Sequence, residues 1–250
     1  SGKRLTRRKF ITSSVGCRQP NSRTASKRPS SGIWTTGTGG KTSFQGSIRI
    51  IMSGCMATDK PLVSIVMAVY EPNMDWLREQ LESLNVQTDP NLELLVRDDC
   101  SPTVSFEEIC GCVEQCVTAF PVEIRRNKKN LGSNRTFERL TREANGAYIA
   151  YCDQDDIWAK EKIEVLQCKI EAEDATLICS DVKIIDDSGK ITANSITKIR
   201  RRHMFREGKG LTKHLLVRNF IIGCTMLIRT DVAEDAVPFA DGYVHDQWLG

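Results

Sequence analysis

Short apolar runs alternate with amphipathic segments from residue 62 onward. Residues 62–70 form a nearly continuous β-branched run, which is typical of a strand covered on both faces in a parallel sheet. The pattern predicts further strands at 92–98, 122–126, 147–152, 176–185 and 220–228, and helices at 74–86, 105–119, 133–144, 160–171 and 211–217. This repeated order predicts an α/β domain with a mostly parallel sheet flanked by helices. A tight turn at 186–189 into residues 190–193 predicts an antiparallel addition.

Charge divides the chain into two parts. Residues 1–60 contain 12 Lys and Arg against one acid, whereas the remainder contains 23 against 31. Residues 1–55 also have few large apolar side chains and no periodicity, so we expect a disordered basic leader, either non-native or encoded upstream. Residues 56–250 are then the catalytic domain. No interleaved aromatic residues accompany the basic charges, so we expect no nucleic-acid partner.

The apolar runs and the cysteines bear on the cellular location of the protein. The longest apolar runs have about nine residues, well short of the roughly 20 that a membrane-spanning helix needs. Ten cysteines are present, but no working export signal precedes them. We therefore expect a cytoplasmic protein with reduced thiols, and an association with the inner face of the membrane stays open.

Carboxylates collect where the predicted strands end. Asp98 and Asp99 follow the second strand, residues 153–156 read Asp-Gln-Asp-Asp after the fourth, and Asp246 lies near the chain end. In open α/β sheets, ligands bind outside the carboxyl ends of the strands. Three carboxylates within four residues repel one another unless a cation neutralises them. Because carboxylates and phosphates are the ligands that Mg²⁺ or Mn²⁺ prefers, the sequence predicts a divalent metal at residues 153–156.

Five motifs occur in the order found in the family 2 inverting glycosyltransferases, which have the GT-A fold. They cover residues 63–71, 94–101, 130–132, 146–158 and 245–248, and the chain resembles this family over residues 61–250. The segment Asp-Gln-Asp-Asp-Ile-Trp at 153–158 is similar to bacterial enzymes that build surface polysaccharide, rhamnosyltransferase-like members among them. The resemblance implies transfer of a hexosyl or deoxyhexosyl unit from a UDP- or dTDP-sugar to a glycan or lipid-linked acceptor.

The resemblance also implies roles for single residues. Asp155 would bind the metal on the diphosphate, with Asp153 and Asp156 as further acids of the metal site. Asp246 would be the catalytic base, and it could also be the N-cap of a helix that begins at Gln247, a role that is compatible with catalysis. The residues implied at the nucleotide are Tyr70, Glu71, Asp98, Asp99, Asn130, Gly132, Arg135 and Asp153.

Two other functions are compatible with acids at the edge of an α/β sheet. A nucleotidyltransferase would need a glycine-rich phosphate loop after the first strand, and the residues there are Glu71, Pro72 and Asn73. A non-catalytic module that binds nucleotide sugars would not need Asp246. The chain ends four residues after Asp246, so we expect the catalytic domain to be shortened at its C-terminus.

Overall fold

The computed structural model describes residues 9–13, 60–200, 205–206, 208, 211–217 and 219–250, with the backbone alone for residues 9–13. The strands are β1 (Lys9–Ser13), β2 (Val63–Val69), β3 (Leu92–Asp98), β4 (Val122–Arg126), β5 (Tyr148–Cys152), β6 (Ile157–Trp158), β7 (Leu177–Cys179), β8 (Asp181–Ile185), β9 (Ile191–Ala193) and β10 (Met226–Arg229). The helices are α1 (Met74–Asn85), α2 (Phe106–Cys116), α3 (Ser133–Glu143), α4 (Lys162–Ala172), α5 (Ile196–Ile199), α6 (Thr212–Val217), α7 (Thr230–Asp235) and α8 (His245–Leu249). A 3₁₀ turn covers Gly223–Thr225.

The main sheet has six strands in the order β4-β3-β2-β5-β10-β7. The first four strands run parallel, and β10 lies antiparallel to both β5 and β7. In the central strand β2, the side chains of Ile65, Val66 and Met67 have no exposed surface, as the continuous apolar run predicts. The predicted α/β fold, with a mostly parallel sheet and an antiparallel addition, is therefore confirmed.

Helices cover both faces of the main sheet. On one face, α1, α2 and α4 pack apolar side chains against the sheet, and Leu77, Leu81 and Ile109 are fully buried there. On the other face, Phe137 of α3 packs with Tyr151 of β5. Among the described residues, no helix has the length and apolar character needed to cross a bilayer. In such an open sheet, the loops after the carboxyl ends of the parallel strands are where a ligand binds.

A second sheet has the strand order β6-β1-β8-β9. β1 runs parallel to β6 and antiparallel to β8. The prediction that residues 1–55 form no regular structure is therefore wrong for residues 9–13, because their backbone pairs with strand edges that would otherwise stay open. The rest of this leader lies outside the described residues.

Two runs that were each predicted to be one strand are broken in the structure. The run at 176–185 divides into β7 and β8, which belong to different sheets. The break is at Ser180, whose amide donates to the carbonyl of Thr225 at 3.0 Å. The run at 220–228 begins as a loop and the 3₁₀ turn, and only its last part enters β10. Both runs stay largely buried, so their apolar composition gave no sign of the breaks.

Candidate functional site

Asp98 ends β3 and organises the loop that follows it. Its side chain is fully buried, and one carboxylate oxygen accepts hydrogen bonds from the amide and the hydroxyl of Ser101, at 3.1 and 2.6 Å. The other oxygen pairs with Nε of Arg126 at 3.1 Å. Ser101 also accepts a hydrogen bond from the amide of Glu71 at 2.9 Å, which joins the loops after β2 and β3. Asp98 therefore supports these loops, and its contact with a nucleotide stays a prediction.

Asp99 holds the loop that leads into α3. Its carboxylate is nearly buried and accepts hydrogen bonds from the amides of Leu131 and Gly132, each at 2.8 Å. The side-chain amide of Asn127 donates a third hydrogen bond at 2.7 Å. Gly132 has a φ of 82°, a left-handed conformation that favours glycine, and it precedes the first residue of α3. The structure thus brings together Asp99 and Gly132, two residues predicted at the nucleotide.

The loop after β2 carries Tyr70 and Glu71. The carboxylate of Glu71 accepts hydrogen bonds from the hydroxyl and the amide of Thr103, and these bonds hold the pKa of Glu71 below its ordinary value. The side chain of Tyr70 is 45% exposed, whereas its backbone forms two hydrogen bonds with the side chain of Gln154, at 2.9 and 3.2 Å. Gln154 therefore ties this loop to the acidic segment after β5, a role that the sequence did not reveal.

The acidic segment after β5 forms a cluster of carboxylates. Atoms that could bind a metal in Asp153, Asp156 and Cys224 all lie within 4.8 Å of one another. Burial, and then the charges of Asp156 and Asp155, raises the pKa of Asp153. Two converging carboxylates fit Mg²⁺ or Mn²⁺. Asp155 is not part of this group in the described chain, so its contact with the metal stays a prediction.

Cys224 is a member of this cluster that the sequence did not indicate, because it lies within an apolar run. Burial raises the pKa of its thiol well above the ordinary value, and nearby acids raise it further. Mg²⁺ and Mn²⁺ prefer oxygen ligands to sulfur, so the two carboxylates suit these ions better than the thiol does.

Lys162 is a buried cation beside the acidic cluster. Its Nζ donates to the carbonyl oxygen of Cys224 at 2.5 Å and lies 3.1 Å from the centre of the Trp158 ring. Burial lowers the pKa of Lys162 to about 8, although the charges of Asp156 and Asp153 act in the opposite direction. When charged, Lys162 offsets part of the negative charge of the cluster from within the protein.

Asp246, the predicted base, lies in the first turn of α8. The helix begins at His245 and is preceded by Val244, so the alternative interpretation of Asp246 as a cap before Gln247 is wrong. One carboxylate oxygen accepts a hydrogen bond from the amide of Gly223 at 3.2 Å. Oδ1 has no hydrogen-bond partner among the described residues, and burial raises the pKa of this carboxyl. A carboxylate with a free oxygen and a raised pKa is suited to accepting a proton.

His245 packs beneath the predicted base. Its ring lies 4.1 Å from that of Phe137 and 5.2 Å from that of Tyr151, measured between ring centres. Burial lowers the pKa of His245 to about 3, so the ring is neutral at physiological pH. These contacts make His245 a packing residue that fixes the start of α8 against the core.

The structure brings the acids from two distant parts of the chain together. Burial raises the pKa of Asp153 most, the charges of Asp156 and Asp155 raise it further, and the charge of Asp246 makes a smaller contribution in the same direction. Geometry agrees, because the carboxylate of Asp246 accepts a hydrogen bond from the amide of Gly223, and the next residue, Cys224, lies in the cluster with Asp153 and Asp156. This is the arrangement that a metal-bound donor and a base would need.

Asn130 and Arg135 are two further residues predicted at the nucleotide. Asn130 is exposed on the loop before α3. Arg135 donates to the carbonyl oxygen of Phe239 at 2.9 Å and pairs with Asp241 at 2.6 Å. Its guanidinium thus fastens α3 to the C-terminal segment, and the nucleotide contacts of both residues stay predictions.

Comparison with known families agrees with this site. Residues 64–236 match Glycosyl transferase family 2, well over half of the chain. The chain belongs to this family. The family comprises glycosyltransferases, so the enzyme class implied by the motifs is confirmed.

Several members of the family are similar in sequence. The dTDP-rhamnosyl transferase RfbG of Shigella flexneri is 35% identical over 104 residues, which cover 39% of this chain and 34% of the relative. The abequosyltransferase RfbV of Salmonella typhimurium is 31% identical over 144 residues, covering 57% and 40%. An uncharacterised glycosyltransferase of Methanocaldococcus jannaschii is 28% identical over 175 residues, covering 70% and 58%. The chain thus spans less than two thirds of the length of each relative.

Solved structures resemble the fold. Residues 1–349 of TarS from S. aureus superpose with a TM-score of 0.56 at 20% identity, covering 74% of this chain and 53% of that chain. The mannosyltransferase PcManGT from Pyrobaculum calidifontis, in complex with GDP-Man and Mn²⁺, gives 0.55 at 13% identity, covering 77% and 51%. At these identities the likeness concerns the fold alone, which is GT-A.

Proposed function

We propose that the chain transfers a hexosyl or deoxyhexosyl unit, with inversion, from a nucleotide-diphospho-sugar to a hydroxyl of a glycan or lipid-linked acceptor. Family membership supports sugar transfer. The observation that supports the mechanism most directly is the convergence of Asp153, Asp156 and Asp246 at one end of the main sheet. The proposed donor is a UDP- or dTDP-sugar, because RfbG is named for dTDP and a TarS structure contains UDP-GlcNAc.

The acidic segment would act on the leaving group. When bound there, Mg²⁺ or Mn²⁺ supplies a Lewis acid that stabilises the negative charge of the departing nucleoside diphosphate. The carboxylates of Asp153 and Asp156 would hold it, joined by Asp155 as the family resemblance implies. Gln154 keeps this segment against the loop of Tyr70, on the side where the nucleotide is proposed to bind.

Asp246 would act on the acceptor. In an inverting transfer, the hydroxyl attacks the anomeric carbon from the face opposite the leaving diphosphate and loses its proton as the bond forms. The free Oδ1 of Asp246 can take this proton, while the amide of Gly223 holds the other oxygen in place. Burial raises the pKa of Asp246 and so makes its carboxylate a stronger base.

Binding of the nucleotide tests the metal site. Without metal, the acids of residues 153–156 and the diphosphate repel each other as like charges, so UDP or dTDP should bind weakly in EDTA and tightly with Mn²⁺. Calorimetry measures both affinities, and Asp155→Ala should remove the difference without changing the melting temperature. Equal affinity in EDTA and in Mn²⁺ would contradict the metal site.

Substitution of the base separates an enzyme from a binding module. Asp246→Asn keeps the shape but removes the base, so transfer should slow by on the order of 10²- to 10⁴-fold while donor affinity stays unchanged. Asp187→Asn, in the exposed turn between β8 and β9, is the matched control and should transfer at the parental rate. If the parent binds donor but never transfers sugar, the result would favour the non-catalytic module. The family match gives no support to the other alternative, a nucleotidyltransferase.

A further inference from the structure

A strongly cationic cleft lies at the β4 edge of the main sheet, whereas the acidic cluster follows β5. It has a volume of about 690 Å³ and lies between β3, the edge strand β4, the middle of α3 and the loop that joins β4 to α3. Six of the side chains that line it are positively charged: Arg97, Arg125, Arg126, Lys128, Lys129 and Arg139. Of these six residues, only Arg97 lies in a family motif described above, so the motifs do not account for this concentration of charge.

The acids of the protein neutralise only part of this charge. Arg97, Arg125 and Arg126, which come from the two strands, form ion pairs with acidic side chains. Lys128, Lys129 and Arg139 are exposed and form no ion pair within the described ranges. Three positive charges thus stay uncompensated around one concave surface, which would attract an anion with several negative charges.

Arg97 gives the cleft a buried hydrogen-bond donor. Its side chain is only 7% exposed, and its two terminal nitrogens donate to Asn127 and Glu143. Its Nε has no hydrogen-bond partner in the part of the chain that the structure describes. A buried donor without a partner is costly, so an anionic oxygen that reaches it would be stabilised beyond simple attraction of charge.

Asn127 connects the cleft to the loop before α3. Its side-chain oxygen accepts hydrogen bonds from Arg97 at 3.3 Å and Arg139 at 3.1 Å. Its side-chain nitrogen donates to Asp99 at 2.7 Å and to Thr136 at 3.0 Å. Two of the cationic side chains are therefore held in position by a buried amide, as expected of a built binding site.

We propose that this cleft binds a phosphate-bearing ligand with at least two negative charges, at a site separate from the diphosphate of the sugar donor. A phosphate monoester carries about −1.5 to −2 charges near pH 7, whereas a carboxylate carries one, so phosphate matches the three unpaired cations better. Guanidinium groups also bind phosphate oxygens in a favourable geometry. The cleft is distinct from the acidic segment, because the two strands that line it, β3 and β4, lie two and three strand spacings, about 10 and 14 Å, from β5.

Titration with inorganic pyrophosphate in EDTA tests the proposal, because the acidic segment repels pyrophosphate when no metal is present. Calorimetry should show binding to the full chain, and the double substitution Lys128→Glu and Lys129→Glu should weaken it by about tenfold or more. The matched control is Lys190→Glu with Lys198→Glu, which changes the net charge equally at exposed lysines outside the cleft and should bind like the parent. Arg139→Gln provides a second variant if the double substitution impairs folding.

Three outcomes would overturn the proposal. The first is no binding of pyrophosphate by the parent, or an equal loss in the control pair. The second is that the double substitution weakens Mn²⁺-dependent binding of UDP as much as it weakens binding of pyrophosphate. That result would make the cleft part of the donor site. The third is that the parent binds vesicles with phosphatidylglycerol, but not vesicles of phosphatidylcholine alone, and does not bind pyrophosphate. In that case the substitutions in the cleft would remove the vesicle binding. That result would identify a membrane contact instead of a site for a discrete phosphate ligand.

Discussion

Gly223→Ala should damage both the packing and the chemistry of the predicted base. A Cβ atom at this position would lie 2.4 Å from Nε2 of His245, closer than real Cβ atoms approach another heavy atom. The ring cannot move away easily, because it is buried against Phe137 and Tyr151. Either the turn that contains Gly223 or the start of α8 must therefore shift.

The size of the effect follows from these contacts. Inserting a methyl group into a well-packed core costs about 1–3 kcal/mol. In a domain of 150–250 residues, each kcal/mol lowers the melting temperature by about 2–4 °C, so we expect a fall of about 2–12 °C. The amide of Gly223 also holds Asp246, and a displacement of about 1 Å in a catalytic group can cost on the order of 10²-fold in rate. Transfer should therefore fall far more than donor affinity.

Thermal melting, donor calorimetry and transfer rates, all measured well below the transition, give the three readouts. Gly111→Ala is the matched control, since nothing lies within 4 Å of a Cβ there and alanine favours a helix by about 0.5–1 kcal/mol over glycine. Combining Gly223→Ala with His245→Ala should lose less stability than the two single changes added together, because the clash disappears. If Gly223→Ala melts and transfers like the parent, the proposed packing around Asp246 is wrong.

Three further predictions concern charge and the N-terminal strand. Lys162→Met should lower the melting temperature in EDTA, because the carbonyl of Cys224 loses its buried donor, at a cost of about 1–3 kcal/mol, and the nearby acids lose a counter-charge. Mn²⁺ should then raise the melting temperature more than in the parent, and equal rises would contradict this role. Burial raises the pKa of Glu138, but hydrogen bonds from Arg135 and its neighbours lower it further, to below the ordinary 4.5. The charged Glu138 therefore stabilises the fold above pH 4.5, and this stabilisation is lost as the pH falls. Urea midpoints should accordingly fall less at acid pH in Glu138→Gln than in the parent. Removal of residues 1–55 should lower the melting temperature, because β1 pairs with β6 and β8, and an unchanged melting curve would show that this pairing adds no stability.

The sequence predicted the parallel part of the fold well, for a physical reason. Strands at 92–98 and 122–126 are confirmed to the residue, because turn residues bound each run. The runs at 176–185 and 220–228 were each predicted as one strand, yet the first breaks where the chain leaves the main sheet after β7, and the second enters that sheet only at β10. Burial continues across each break, so hydrophobic periodicity carries no record of which sheet a residue joins.

The site was predictable where one short segment supplies the chemistry. The acids at 153–156 are candidates because they follow the end of a predicted strand, whereas the role of Asp246 comes from the family resemblance, and both stay predictions. The roles of Gln154 and Gly223 could not be predicted. Gln154 contacts Tyr70 and Gly223 contacts His245, and each partner is distant in the sequence. A glutamine between two acids and a glycine in an apolar run carry no signal until the chain is folded.

The charge argument for a metal also changes once the fold is known. Three carboxylates in four residues predicted a cation, and the structure places one cation of the protein itself, Lys162, behind them. A lysine at the start of a helix ordinarily faces solvent, so its burial under Trp158 could not be read from the pattern. Because Lys162 supplies one charge against Asp153, Asp155 and Asp156, it leaves a net negative site, and the approach of a diphosphate adds more negative charge. The need for a divalent metal therefore arises chiefly when the donor binds, which is why the metal should affect nucleotide affinity more strongly than the stability of the unliganded chain.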